Sequence, residues 1–128
     1  MLRKSRTLNG ERASILAYCR VMRIGSHITV SAMAMDGNGD IVGPNDPYIQ
    51  TAQCLRNIEA ALAEEGASLA DVVKTRVCVA DSDHGVKINR AYDAVFRRFF
   101  SAARIEVRRF MLPEILVEIE VDAVIAET

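Results

Sequence analysis

Residues 46–80 read DPYIQTAQCLRNIEAALAEEGASLADVVKTRVCVA, and this stretch decides the fold. Asp46 can accept a hydrogen bond from a free backbone N–H, and Pro47 suits the first helical position, where its missing N–H is no loss. Ile49, Ala52, Leu55, Ile58, Ala61 and Leu62 recur at helical spacing, which gives the helix one apolar stripe. Gly66 is a natural stop, because glycine adopts the left-handed backbone that closes a helix. Ser68 and Asp71 have the spacing of a capping box, in which each side chain serves a free backbone N–H. Residues 72–80, VVKTRVCVA, are rich in valine with polar residues on one side, which predicts a strand.

Working outward, residues 18–24 permit a strand that ends at Gly25-Ser26. Residues 27–35, HITVSAMAM, alternate: Ile28, Val30, Ala32 and Ala34 on one face, Thr29, Ser31, Met33 and Met35 on the other. The two strands make a hairpin. Asp36-Gly37-Asn38-Gly39-Asp40 is a turn cluster. Residues 1–16 show no clean period and are expected to form a loose arm. Downstream, a second helix is expected over 83–99, with Ile88, Tyr92, Val95, Phe96 and Phe99 as its stripe. Residues 104–109 alternate weakly. After Pro113, residues 116–126 set Val117, Ile119, Val121 and Ala123 against Glu118, Glu120, Asp122 and Val124. The order β-β-α-β-α-β-β predicts an α+β fold over a single domain, 1–128. Right-handed crossovers put both helices on one face of a mixed sheet. The carboxylates of Glu118, Glu120 and Asp122 share the other face, which suits solvent or a polar subunit interface.

Bulk composition narrows the function classes. Of the 128 residues half are apolar and about a quarter charged, with a net charge of −1. This is too apolar for disorder, and no global basic field recruits nucleic acid or anionic membrane. No apolar run approaches the ~20 residues of a membrane span. Arg3, Lys4 and Arg6 are not followed by an apolar signal core, so a cytoplasmic location is expected. Cys19, Cys54 and Cys78 are widely spaced with no CxxC pair, and His27 and His84 form no ligand spacing. Neither a disulfide framework nor a metal site is expected. A Cys-His nucleophilic pair stays open, although free cysteine usually behaves as a small buried hydrophobe. Gly37-Asn38-Gly39 lacks the context of a phosphate loop. Arg97-Arg98 and Arg108-Arg109 are small basic patches, and nucleic-acid binding would need more aromatics and a larger basic face.

Four stretches, taken in order, resemble one family: AYCRVMRIG (17–25), DGNGDIVGPNDPYIQTAQCLRNIEAALAEEGASLADVVKTRVCVAD (36–81), INRAYDAVF (88–96) and LPEILVEIEVDA (112–123). Together they are similar to the reactive-intermediate deaminases, the RidA, YjgF or endoribonuclease L-PSP family. The resemblance implies a chorismate-mutase-like trimeric barrel, a homotrimer with inward-facing sheets and pockets in the clefts between subunits. It also implies hydrolysis of reactive enamines and imines of amino acids to 2-oxo acids and ammonia, with no cofactor.

Such a reaction needs an arginine to clamp the substrate carboxylate, a carboxylic group to orient water or relay a proton, and apolar walls. In the family the clamp is the arginine of a P-A-R-[ST] motif. This chain offers Ser101-Ala102-Ala103-Arg104-Ile105, without the proline and without Ser or Thr after the arginine. Aligned on Leu112-Pro113, Arg104 takes the clamp position; aligned on Ile105-Glu106-Val107, Ala102 does. Either way Arg104 stays on the clamp's strand face, since two residues make one side-chain period. A plain ion pair is its alternative role. Glu118 matches the catalytic glutamate, the first acid of V-E-I-E, against the plainer reading of a solvated acid. For substrate binding, Tyr18 matches a pocket-lining tyrosine or is a core residue. Ser31 sits at the family's V-S-G strand end, with Ala32 in place of the glycine. Asn89 matches the asparagine of V-N-x-x-Y, where helix capping or solvent contact is the common role. Cys78 reads as a packed strand residue before a nucleophile. The expected partner is a small anionic imine or enamine. The alternatives are a non-catalytic trimeric module that binds a metabolite or protein in the same clefts, a hydrolase of another C–N bond, and RNA cleavage.

Overall fold

A computed structural model describes residues 3–8, 19–96 and 101–126. Strands β1 (Arg3–Leu8), β2 (Cys19–Ile24) and β3 (His27–Met33) come first. Helix α1 (Pro47–Glu64), β4 (Val72–Val79), helix α2 (Gly85–Val95), β5 (Ser101–Glu106) and β6 (Val117–Val124) follow. The strands form one sheet in the order β1-β2-β3-β6-β4-β5. Among the described residues only β4 and β5 pair in parallel, joined by the α2 crossover; the other neighbours are antiparallel. The expected mixed sheet with two helices on one face is what the chain forms.

The local signals account for α1. Asp46 accepts from the Ile49 N–H at 3.0 Å, Pro47 opens the first turn, and the helix buries Leu55, Ile58, Ala61 and Leu62. At its end Gly66 takes φ +78°, the Ala67 N–H bonds Leu62 O at 2.8 Å and the Gly66 N–H bonds Ala63 O at 3.1 Å. That is the Schellman closure glycine permits. The Ser68–Asp71 capping box forms as expected. The hairpin turns at Gly25, φ +59°, which is the geometry a two-residue turn needs with glycine first. It fixes the pairing Ile24↔His27, Val21↔Val30 and Arg20↔Ser31.

One face of the sheet is buried under the helices. Val21, Ile28, Val30, Ala32, Val77, Val79, Val117, Ile119, Val121 and Ala123 form one core with Cys54, Leu55, Ile58, Leu62 and Ile88. Two loops are tied to this core by a single buried side chain. The Gln50 amide donates to Gly43 O at 3.0 Å and Glu114 O at 2.6 Å, and accepts from the Leu116 N–H at 2.8 Å. Every polar group it buries is therefore satisfied.

Three boundaries differ from the sequence reading. Residues 3–8, expected within a loose arm, pair along β2 as an edge strand, held by main-chain hydrogen bonds that no side-chain period announces. The helix expected over 83–99 begins as a tight 3-10 turn, Ser82–His84, and is helical to Val95; residues 97–100 lie outside the described part. The strand expected over 104–109 is Ser101–Glu106, because parallel pairing with β4 decides its frame rather than its own weak alternation.

Candidate functional site

The uncovered face of the sheet carries the polar side chains of β3, β4 and β6 together with Arg20 of β2. Its rows follow from the register. Arg20, Ser31, Glu120 and Arg76 lie side by side across β2, β3, β6 and β4. Met22, Thr29, Asp122 and Lys74 form the next row. On the other side, Met33, Glu118, Cys78 and Ile105 form a third, which reaches β5.

Glu118 is half-buried in that third row, and the Ser31 hydroxyl, one row over, donates to its Oε1 at 3.1 Å. Loss of hydration on burial pushes the Glu118 carboxyl above the usual carboxylate range, and neighbouring Glu120 adds to this. The Ser31 hydroxyl and the positive field of Arg20 pull it partly back. The result is a fixed carboxyl whose two protonation states lie closer to neutral pH than those of an exposed glutamate. Along the same strand, Glu120 lies 3.7 Å from Arg76 and Asp122 lies 3.6 Å from His27. Thr29, Lys74, Arg76, Glu120 and Asp122 line a depression of about 260 Å³. The Cys78 thiol, paired in register with Glu118, is pushed up by burial and then by Glu120 and Glu118, which favours the protonated, poorly nucleophilic form.

Arg104 lies elsewhere. On β5 it pairs with Val77, whose side chain is buried in the core beneath the helices. It therefore projects to the helix side, as does Ala102 two residues earlier. There its charge acts on Tyr92, whose hydroxyl is 2.6 Å from Thr75 Oγ1. Asn89 is exposed on α2, one turn before Tyr92. Within one chain the expected site residues thus divide. Ser31 and Glu118 meet on the open face; Arg104 and Asn89 belong to the helix side; Tyr18 lies outside the described residues.

The sequence reading missed Arg20 as a site candidate, although the signal was present. The two-residue turn at Gly25-Ser26 sets Ile24 opposite His27, and counting back puts Arg20 opposite Ser31. It also missed the connection between β5 and β6, where Arg109, Phe110, Met111 and Pro113 line a cavity of about 640 Å³.

Comparison with known proteins agrees with this architecture. The profile of the family described as Endoribonuclease L-PSP matches residues 10–125. The 2-iminobutanoate/2-iminopropanoate deaminase of Escherichia coli is 31% identical over 129 residues, covering 94% of this chain and 98% of that one. A RutC family protein of Pyrococcus abyssi is 33% identical over 105 residues, covering 80% of this chain and 82% of that one. Among solved structures, a member of the YjgF/YER057c/UK114 family from Mycobacterium tuberculosis superposes with a TM-score of 0.79 at 33% identity, covering 97% of this chain and all of that one. The resemblance first carried by four stretches of sequence holds in sequence and in fold, and the chain belongs to the endoribonuclease L-PSP (YjgF/RidA) family.

Proposed function

We propose that the protein hydrolyses small enamines or imines derived from amino acids to 2-oxo acids and ammonia, in clefts between the subunits of a homotrimer. The observation that carries this reading is the half-buried Glu118 carboxyl, raised in proton affinity and held by Ser31. As a carboxylate it takes a proton from the attacking water while oxygen bonds to the imine carbon. As an acid it gives that proton to the imine nitrogen, leaving a carbinolamine, and a second transfer through the same carboxyl moves the hydroxyl proton to the amine as the C–N bond breaks and C=O forms. C=N and water become C=O and ammonia, and Glu118 is regenerated. The similarity to an E. coli 2-iminobutanoate/2-iminopropanoate deaminase supports the substrate class. In this reading Tyr18 and Asn89 contribute to the pocket across the subunit boundary. The carboxylate clamp comes either from Arg104 of a neighbouring copy or from a guanidinium on Glu118's own face.

Ammonia release from freshly generated 2-aminoacrylate tests the reading. Wild type should release ammonia faster than the buffer reaction, and Glu118→Gln should lose about 10²–10⁴-fold, the usual weight of a positioned acid–base group. No release from an intact trimer would sink it. The division of Arg104 from Glu118 favours one second reading, a non-catalytic module that binds small carboxylates. Tight binding without turnover would decide for that alternative.

A further inference from the structure

We infer that Arg20 is the carboxylate-anchoring arginine of this site, taking the part the family motif would give to the residue at Arg104 or Ala102. The inference rests on the reading of Glu118 as the reacting carboxyl, and it follows from how β2 is placed.

Arg20 stands directly opposite Ser31 in the antiparallel pair of β2 and β3. Side chains paired in this way start about 5 Å apart at Cβ. Ser31 in turn holds Glu118 at 3.1 Å. A guanidinium, a hydroxyl and a half-buried carboxyl thus follow one another on one face. The other cations there are less suited. Arg76 lies 3.7 Å from Glu120, and Lys74 sits beyond it in the row of Asp122. Arg104 projects to the opposite side of the sheet, where its charge acts on Tyr92. Arg20 is exposed, and among the described residues no hydrogen bond or ion pair engages its guanidinium. It is a planar fork able to take a carboxylate with two parallel bonds.

The chemistry of the substrate fits this spacing. In a 2-imino acid the carboxylate carbon is bonded to the imine carbon, so anchoring one places the other within a bond length or two. An anchor beside Ser31 therefore brings the electrophilic carbon towards Glu118. Binding would also act on Glu118. A carboxylate seated on Arg20 cancels the positive field that pulls the Glu118 carboxyl down, and so raises its proton affinity when the leaving nitrogen needs an acid. The ligand class is a small 2-imino or 2-oxo monocarboxylate.

The test measures binding of 2-oxobutanoate, a stable product-like carboxylate, to the assembled protein by calorimetry. Wild type is compared with Arg20→Gln, Arg20→Lys, Arg104→Gln and Arg109→Gln, each checked for its circular dichroism spectrum and assembly mass. Arg20→Gln should weaken binding at least tenfold. Arg20→Lys should recover only part, since ammonium cannot make the fork. Arg109→Gln should stay within about threefold of wild type, and a loss in Arg104→Gln equal to or larger than that in Arg20→Gln would overturn the inference. Unchanged binding in Arg20→Gln would overturn the inference, as would a wild type that binds no carboxylate. As a second readout, ¹³C-detected titration should show the Glu118 carboxyl moving up in Arg20→Gln; no movement counts against proximity. Turnover is scored apart: if wild type binds through Arg20 yet releases no ammonia, the anchor stands and the hydrolase reading falls.

Discussion

Glu118 is half-buried and held by the Ser31 hydroxyl, and this environment gives two pH-dependent expectations. Below the range where an unfolded glutamate titrates, the carboxyl is neutral in both states and its burial is harmless. As pH rises through the raised folded-state value, the folded chain must hold a charge with reduced hydration, and stability falls relative to a neutral isostere. Glu118→Gln should therefore raise the melting temperature at pH 8 and change it little at pH 4, since glutamine can still accept from Ser31. Thermal melts across that range check it, and an equal shift at both ends would show that Glu118 is not raised. The same displacement bears on turnover. If the carboxylate is the base, the acid limb of kcat/KM lies above the ordinary carboxylate range, and Arg20→Gln should move it higher still because a favourable charge is lost.

Elements written in local signals were legible; elements set by distant pairing were not. Helix α1 announced its start in Asp46 and Pro47 and its end in Gly66, because caps act within a few residues of the chain. For the same reason the box at Ser68 and Asp71 was readable. Strand β5 was displaced because Ala102 and Ala103 carry no apolar period and its frame comes from β4, whose Val77 pairs with Arg104. That frame puts Arg104 on the helix side, and no alignment of the Ser101–Ile105 stretch to a motif contains it. Strand β1, RKSRTL, lacks an apolar period because an edge strand can be held by backbone bonds alone. The two loop glycines near α1 separate backbone conformation from packing. Gly66→Ala meets open space and bears only the left-handed backbone, about 1 kcal/mol. At Gly43, φ +70°, an added Cβ would lie 2.5 Å from Ile49 Cγ2 and 2.8 Å from Ile49 Cβ. Both atoms belong to the first turn of α1, where the Asp46 cap and the Gln50 bond to Gly43 O hold the backbone. Gly43→Ala should thus lose clearly more than Gly66→Ala, on the order of 2 kcal/mol or above. Urea midpoints measured side by side decide it, and equal losses would mean the loop yields freely.

At the scale of the whole molecule, the open sheet face is where fold and proposed function meet. One side of the sheet is sealed by helices; the other leaves Met22, Ile105 and Val124 exposed among Glu118, Glu120, Asp122, Arg20 and Arg76. Strands that alternate this strictly do not need a covered second face to fold, so the mixture is better explained by a polar interface than by missing core. The proposed trimer would close that face, shield Glu118 further, and put side chains from different copies into one cleft. It would also reconcile the division seen within a chain, since residues on opposite sides of one sheet can line a boundary shared by two copies. Light scattering should then give three chain masses at micromolar concentration. Met22→Glu adds a carboxylate to the row that already holds Asp122, beside the row of Glu120. Like charges brought together and dehydrated at an interface disfavour assembly far more than folding of a face that is wet in the monomer. The variant should keep its circular dichroism spectrum while its mass falls towards that of one chain, and carboxylate binding should weaken with it if the cleft is shared. A wild type that scatters as a single chain would remove the cleft from the mechanism and leave Arg20, Ser31 and Glu118 to act within one subunit.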